Sequence, residues 1–174
     1  MKRKNLIWMI FWSLAVGGGA QASDLNGHDR VIIATCMVLE AGGEGSTGMQ
    51  AVLSVMRNRA QGDAGRLADV ALKRGAFSCM APVWQPEPDF EPLISKARNQ
   101  SDAYEEALCL IQRMEQGELE DNTGGATHYH AHYVTPYWAS TLRYLTTIGG
   151  HLFYREPSQE MAQLSEPAAT INGG

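Results

Sequence analysis

Between residues 28 and 41 the chain places Val31, Ile32, Ala34, Cys36, Val38 and Leu39 almost all round a helical wheel. A helix that is apolar on nearly every side cannot lie on a surface, so other elements have to wrap it. This one demand makes the fold a set of helices packed around a central one. Gly42 and Gly43 end that helix, since glycine is the usual residue just past a helix C-terminus. A length of 174 residues with 44% hydrophobic and 19% charged composition provides one such core. It excludes a disordered, collagen-like or coiled-coil chain.

A second helix is predicted over residues 48–61, opened by a capping box of Thr47 and Gln50 and carrying Met49, Val52, Leu53 and Met56 on one stripe. Arg57, Asn58 and Arg59 occupy its later surface. A short helical turn is expected over residues 67–73. Phe77-Ser78-Cys79 and the prolines at 82, 86, 88 and 92 then read as an irregular excursion holding Trp84 and Phe90. Another helix is predicted over residues 102–116, capped by Ser101, with Tyr104, Ala107, Leu108, Ile111 and Met114 turned inwards. The pattern then alternates as strands do over residues 126–133, while residues 145–148 and 151–153 flank Gly149-Gly150 as a two-residue hairpin turn requires. The fold class is therefore α+β, a mostly helical domain over residues 23–155 with a small antiparallel sheet in its C-terminal half.

Outside that domain, Lys2, Arg3 and Lys4 precede an apolar stretch over residues 6–16, three glycines and Ala20-Gln21-Ala22. This is the layout of a signal peptide over residues 1–22, the alternative being a signal anchor, because a bilayer-spanning helix needs about 20 apolar residues. The protein is accordingly expected to be exported to the periplasm or cell envelope. Cleavage removes three of 14 basic and none of 19 acidic residues, leaving 11 against 19 and a charge of −8. Charge-driven binding to nucleic acid or anionic lipid is excluded on that count. Residues 156–174 are polar, without periodicity, and are expected to be disordered. With three cysteines, at most one internal disulfide can form. Cys36 lies in the apolar helix and Cys109 on a polar face, so the expected bridge joins Cys79 to Cys109.

The chemistry concentrates in Leu39-Glu40-Ala41-Gly42-Gly43-Glu44-Gly45. Apolar neighbours and the negative end of the helix dipole both disfavour a charged Glu40, which pushes its pKa upwards and suits a general acid. Glu44, just before the second helix, meets the positive dipole end and is expected to stay ionised. Two carboxylates in diverging environments are what glycoside cleavage uses. The plainer reading is a solvated helix-end Glu40 and an N-terminal helix charge at Glu44. His128, His130 and His132 recur at every second position, which on a strand puts them on one face, as in zinc-binding strands. Tyr129, Tyr133, Tyr137 and Trp138 crowd the same segment, and rings among polar groups also suit a sugar-binding wall.

In its ordered motifs the sequence resembles the SleB-type cell-wall hydrolases, a family that includes spore cortex-lytic enzymes. The motifs are Glu40-Ala41-Gly42-Gly43-Glu44, Asn58-Arg59, Phe77-Ser78-Cys79, Thr123-Gly124-Gly125-Ala126-Thr127-His128-Tyr129, Trp138, and residues 148–155. Gly42-Gly43 departs from the family's usual charged residue before the second glycine. The resemblance implies a lysozyme-like, lytic-transglycosylase-type fold acting on peptidoglycan glycan strands, with Glu40 as catalytic acid/base and an anhydro product. Ser78, Tyr129, His151 and Tyr154, with Glu44 and Trp138, are the candidates for binding sugar. No cofactor and no metal are expected. A separate peptidoglycan-binding module of the kind some relatives carry is not expected here, so targeting is expected to fall to the cleft or to an envelope partner. Two other readings stay open: a zinc-dependent peptidoglycan amidase or peptidase using His128, His130 and His132, and a catalytically silent glycan-binding envelope protein.

Overall fold

A computed structural model describes residues 25–157; the expected signal segment over 1–22 and all but the first two residues of the expected tail lie outside them. Helix α1 (Gly27–Ala41) is the central helix that the sequence demands, capped by the Asn26 side chain accepting from the Asp29 N–H. From Ile32 to Val38 every residue is buried. Helices α2 (Gly45–Arg59), α3 (Leu67–Leu72), α4 (Glu91–Arg98) and α5 (Ser101–Glu115) all pack against it. One apolar cluster runs through all five, and includes Ile32, Met37, Leu53, Leu67, Leu93 and Leu110.

Helix α2 begins earlier than the Thr47 capping box implied. A 3-10 turn over Gly42–Glu44 leads directly into it without a side-chain cap. Gln50 instead donates to the Glu120 carbonyl. The proline-rich excursion is more regular than expected: Ser78–Trp84 forms 3-10 turns, and α4 follows with Pro92 in its first turn. There the missing N–H costs nothing and the fixed φ favours the helix. On α5 the inward residue is Leu110, while Leu108 is 36% exposed.

The sheet contains β1 (His128–Ala131), β2 (Arg143–Ile148) and β3 (His151–Arg155) in the order β1-β3-β2, antiparallel throughout. Gly149-Gly150 closes the β2–β3 hairpin, pairing Ile148 with His151. Between β1 and β3 the register pairs His128 with Tyr154, Tyr129 with Phe153, and Ala131 with His151. Residues directly opposite share a face, and faces alternate along a strand. Tyr129, His151 and Phe153 thus belong to one face, and His128, His130 and Tyr154 to the other. A small second cluster of Ala51, Val55, Ala126 and Phe153 fastens the sheet to α2.

Candidate active site

The last turn of α1 delivers Glu40 half-buried to the edge of the core. Its Oε1 accepts the Cys79 N–H at 3.0 Å, with the Ser78 hydroxyl at the outer limit of 3.5 Å. Its Oε2 accepts the Tyr129 hydroxyl at 2.8 Å. Three chain segments far apart in sequence therefore meet on one carboxyl group. Burial and the neighbouring Glu40 push the Tyr129 phenol well above its usual range, so it remains a donor. Glu40, Ser78, Tyr129 and His151 line one groove of about 810 Å³, with Tyr133 at its rim 81% exposed.

Arg59 holds two of these segments together. Its Nε donates to the Thr127 carbonyl at 2.6 Å and its Nη1 to the Ala76 carbonyl at 3.1 Å, and the guanidinium lies 4.9 Å from the centre of the Phe77 ring. The strand entering Tyr129 and the turn entering Ser78 are thus tied to one fork. Burial lowers the Arg59 pKa from its usual high value. Beside it, Asp121 accepts from the Thr123 N–H and hydroxyl, the Gly125 N–H and the Asn58 amide. Burial would raise the Asp121 pKa, and these donors outweigh it and lower the value. Neither role has a local sequence sign, because the acceptors of Arg59 are backbone carbonyls and Asp121 lies outside every motif read from the sequence.

Glu44 stands elsewhere. Its Oε1 accepts the Gly150 N–H at 3.0 Å and pairs with His151 Nδ1 at 2.9 Å. A Cβ at Gly149 would collide with the Glu44 carboxyl group, and one at Gly48 with its Cβ, so both glycines make room for this side chain. Gly149 also has φ +55°, which other residues rarely adopt. Glu44 clamps the hairpin to the start of α2, and His151 carries the effect to the site by setting its ring edge against Tyr129 at 5.1 Å. Glu44 does not line the groove.

Two other candidates are also placed away from Glu40. Tyr154 is buried on the opposite sheet face, its hydroxyl 3.1 Å from His130 Nε2 and its ring stacked on that imidazole. Trp138 packs against His128 and His130 and lines a neighbouring groove. The strand parity that brings Tyr129 to Glu40 turns Tyr154 away. The three histidines do not converge either: His128 Nδ1 meets the Thr127 hydroxyl, His130 Nδ1 the Ala131 carbonyl, and His132 Nδ1 the Gly150 carbonyl. Among the described residues no three His, Cys, Asp or Glu side chains form a metal-ligand set. The expected Cys79–Cys109 bridge is also corrected. Cys79 Sγ lies 3.7 Å from Cys36 Sγ beneath the Glu40 turn, Cys109 is exposed on α5, and all three are free thiols.

A family model described as Cell Wall Hydrolase matches residues 43–154, well over half of the chain. The chain belongs to the cell wall hydrolase family. As a member of that family it is an enzyme acting on peptidoglycan, as its SleB-type motifs implied. The matched span begins three residues after Glu40, so the place of Glu40 in the site stands on geometry. The fold of this cell wall hydrolase is that of the catalytic domain of the germination-specific lytic transglycosylase SleB from Bacillus anthracis, with a TM-score of 0.55 at 23% identity. That match covers 76% of this chain and 98% of the other. The catalytic domain of the Bacillus cereus SleB protein gives a TM-score of 0.54 at 22% identity, over 80% and 99% of the two chains. No curated protein matches this cell wall hydrolase.

Proposed function

We propose that this cell wall hydrolase is a lytic transglycosylase that cleaves the β-1,4 bond between N-acetylmuramic acid and N-acetylglucosamine, with Glu40 as both acid and base. One observation carries the reading: among the described residues Glu40 is the single carboxylate lining its groove. Ordinary glycoside hydrolysis uses two carboxyl groups flanking the bond, one of them to activate water or to attack the sugar. With Glu44 engaged at the hairpin, the arrangement supports a nucleophile supplied by the substrate.

The Cys79 N–H and the Tyr129 hydroxyl hold the two carboxyl oxygens, and the protonated Glu40 carries the acid proton. From there it passes to the glycosidic oxygen of the leaving N-acetylglucosamine as the bond to muramic C1 breaks. The ionised Glu40 then takes the proton of the muramic 6-hydroxyl, whose oxygen closes onto C1. The product is a 1,6-anhydro end, and no water is consumed. The chain acts outside the cytoplasm, with residues 1–22 directing export.

Digestion of purified sacculi followed by mass spectrometry tests the assignment. Muramic ends lighter by one water and resistant to borohydride are expected, and reducible ends would make the enzyme a muramidase instead. A folded Glu40→Gln variant should release fragments slower by about 10²- to 10⁴-fold. Release at the parent rate would remove Glu40 from its role.

A further inference from the structure

Next to the groove of Glu40 lies a second of about 1060 Å³, and Arg59 and Ala76 line both. Its composition is unlike that of the rest of the molecule. Eleven arginines and lysines and sixteen aspartates and glutamates fall between residues 25 and 157. Five of those cations line this groove, namely Arg59, Arg66, Lys73, Arg74 and Arg155, against only two of the acids, Asp69 and Glu156. Apart from Arg59, none of the five forms an ion pair or side-chain hydrogen bond within 25–157. Nearly half of the cations between residues 25 and 157, mostly uncommitted, thus gather in one concavity of an acidic protein.

The wall between these cations is mixed, with Asn58, Gln61 and Thr127 beside apolar side chains. Val70, Leu72 and Trp138 contribute apolar surface. His128, whose pKa burial and the nearby Arg59 hold below its usual value, adds a neutral ring 5.4 Å from Trp138. Bare cations among apolar side chains suit a short peptide bearing carboxylates and methyl groups, with guanidinium forks for the carboxylates.

We infer that this second groove binds the peptide stem of peptidoglycan by its free carboxylates while the glycan strand lies against Glu40. The inference rests on the proposed function and names a part of the substrate for it. Stems hang from the lactyl ether of each muramic acid, so a strand in one groove projects its stems into a groove that adjoins it. Stem residues supply alanyl methyls and the carboxylates of D-glutamate, diaminopimelate or terminal D-alanine, which match the two kinds of wall. A site of this kind makes the enzyme prefer peptide-bearing strands to bare glycan, and weakens with salt.

The test compares stem-bearing glycan strands with strands stripped by an amidase, using the mature chain, an Arg66→Gln/Arg74→Gln double variant and an Arg113→Gln control. Arg66, Arg74 and Arg113 are all exposed, so folding should survive each change. The parent should show a lower KM on stem-bearing strands, and the double variant should lose about two- to fivefold of that preference per charge removed. A separate titration of the Glu40→Gln variant with free L-alanyl-D-glutamyl-diaminopimelate should shift the Trp138 indole NMR signal, and the amidated tripeptide should shift it less. Equal KM on both strands, an equal effect of Arg113→Gln, or indifference of the indole to the carboxylates would overturn the inference. Cleavage of neither polymer would instead overturn the proposed function itself.

Discussion

The Tyr129 hydroxyl holds Glu40 Oε2 and the Cys79 N–H holds Oε1, which makes Tyr129 the sharpest single-residue test of the role proposed for Glu40. Tyr129→Phe keeps the ring against Phe77 and Phe153 and removes only the donor on Oε2. A hydrogen bond to a charged group contributes about 1.5–3 kcal/mol, so kcat should fall about ten- to a hundredfold while KM stays close to the parent value. An unchanged kcat would mean that the phenol is structural. His128 supplies a pH test. Burial first, and then Arg59, hold its folded pKa below the unfolded value of about 6.5. The folded state favours the neutral ring, so its contribution is complete above that value and is lost as pH falls through the folded pKa. His128→Gln should therefore flatten the decline in denaturant midpoint below pH 6.5. An equally steep decline would show that this ring does not set it.

At the scale of elements, the Glu44 clamp explains why a hairpin at the far end of the chain reports to the active site. Glu44→Gln keeps an acceptor for the Gly150 N–H but loses the charge facing His151, so the ring edge against Tyr129 is less firmly held. Activity should drop by much less than in Glu40→Gln. Gly149→Ala should do more damage, because it needs both the left-handed φ and the space that the Glu44 carboxyl group fills. If the alanine variant proved as active and stable as the parent, the clamp would be dispensable. These elements also show which parts of the fold a sequence makes legible. The buried helix α1 and the Gly149-Gly150 turn follow from periodicity and glycine, which are local. Helix α4 escaped because Pro92 reads as a breaker until its place in the first turn is known, and the start of α2 because a 3-10 turn precedes it. In the candidate site, the place of Glu40 at the end of an apolar helix was legible. The Glu44–His151 pair, the Arg59 fork and the Asn58–Asp121 bond were not, since each joins residues far apart in the sequence. The facing of Tyr154 depended on a strand parity that only the register fixes, and that of Trp138 on the 3-10 turn over Tyr137–Ser140.

Across the whole molecule the apolar core is divided unequally, and the active site spans the division. Leu39 and Cys79, the neighbours of Glu40 and Ser78, pack on the large helical cluster, whereas Tyr129 packs against both clusters from a sheet fastened to α2 largely through Ala51, Val55, Ala126 and Phe153. Phe153 is 1% exposed and central to the smaller cluster, and replacing a buried Phe by Ala costs about 3–5 kcal/mol. Because that loss falls on the fastening, Phe153→Ala should release the sheet before the helices melt. Amide exchange should then quicken in β3 while α1 stays protected, and activity should vanish at temperatures where the helical circular dichroism is intact. Leu53→Ala, in the large cluster, should cost about 2–5 kcal/mol and lower the protection of α1 and β3 together. Equal acceleration of α1 and β3 exchange in Phe153→Ala would show instead that sheet and helices form one cooperative unit.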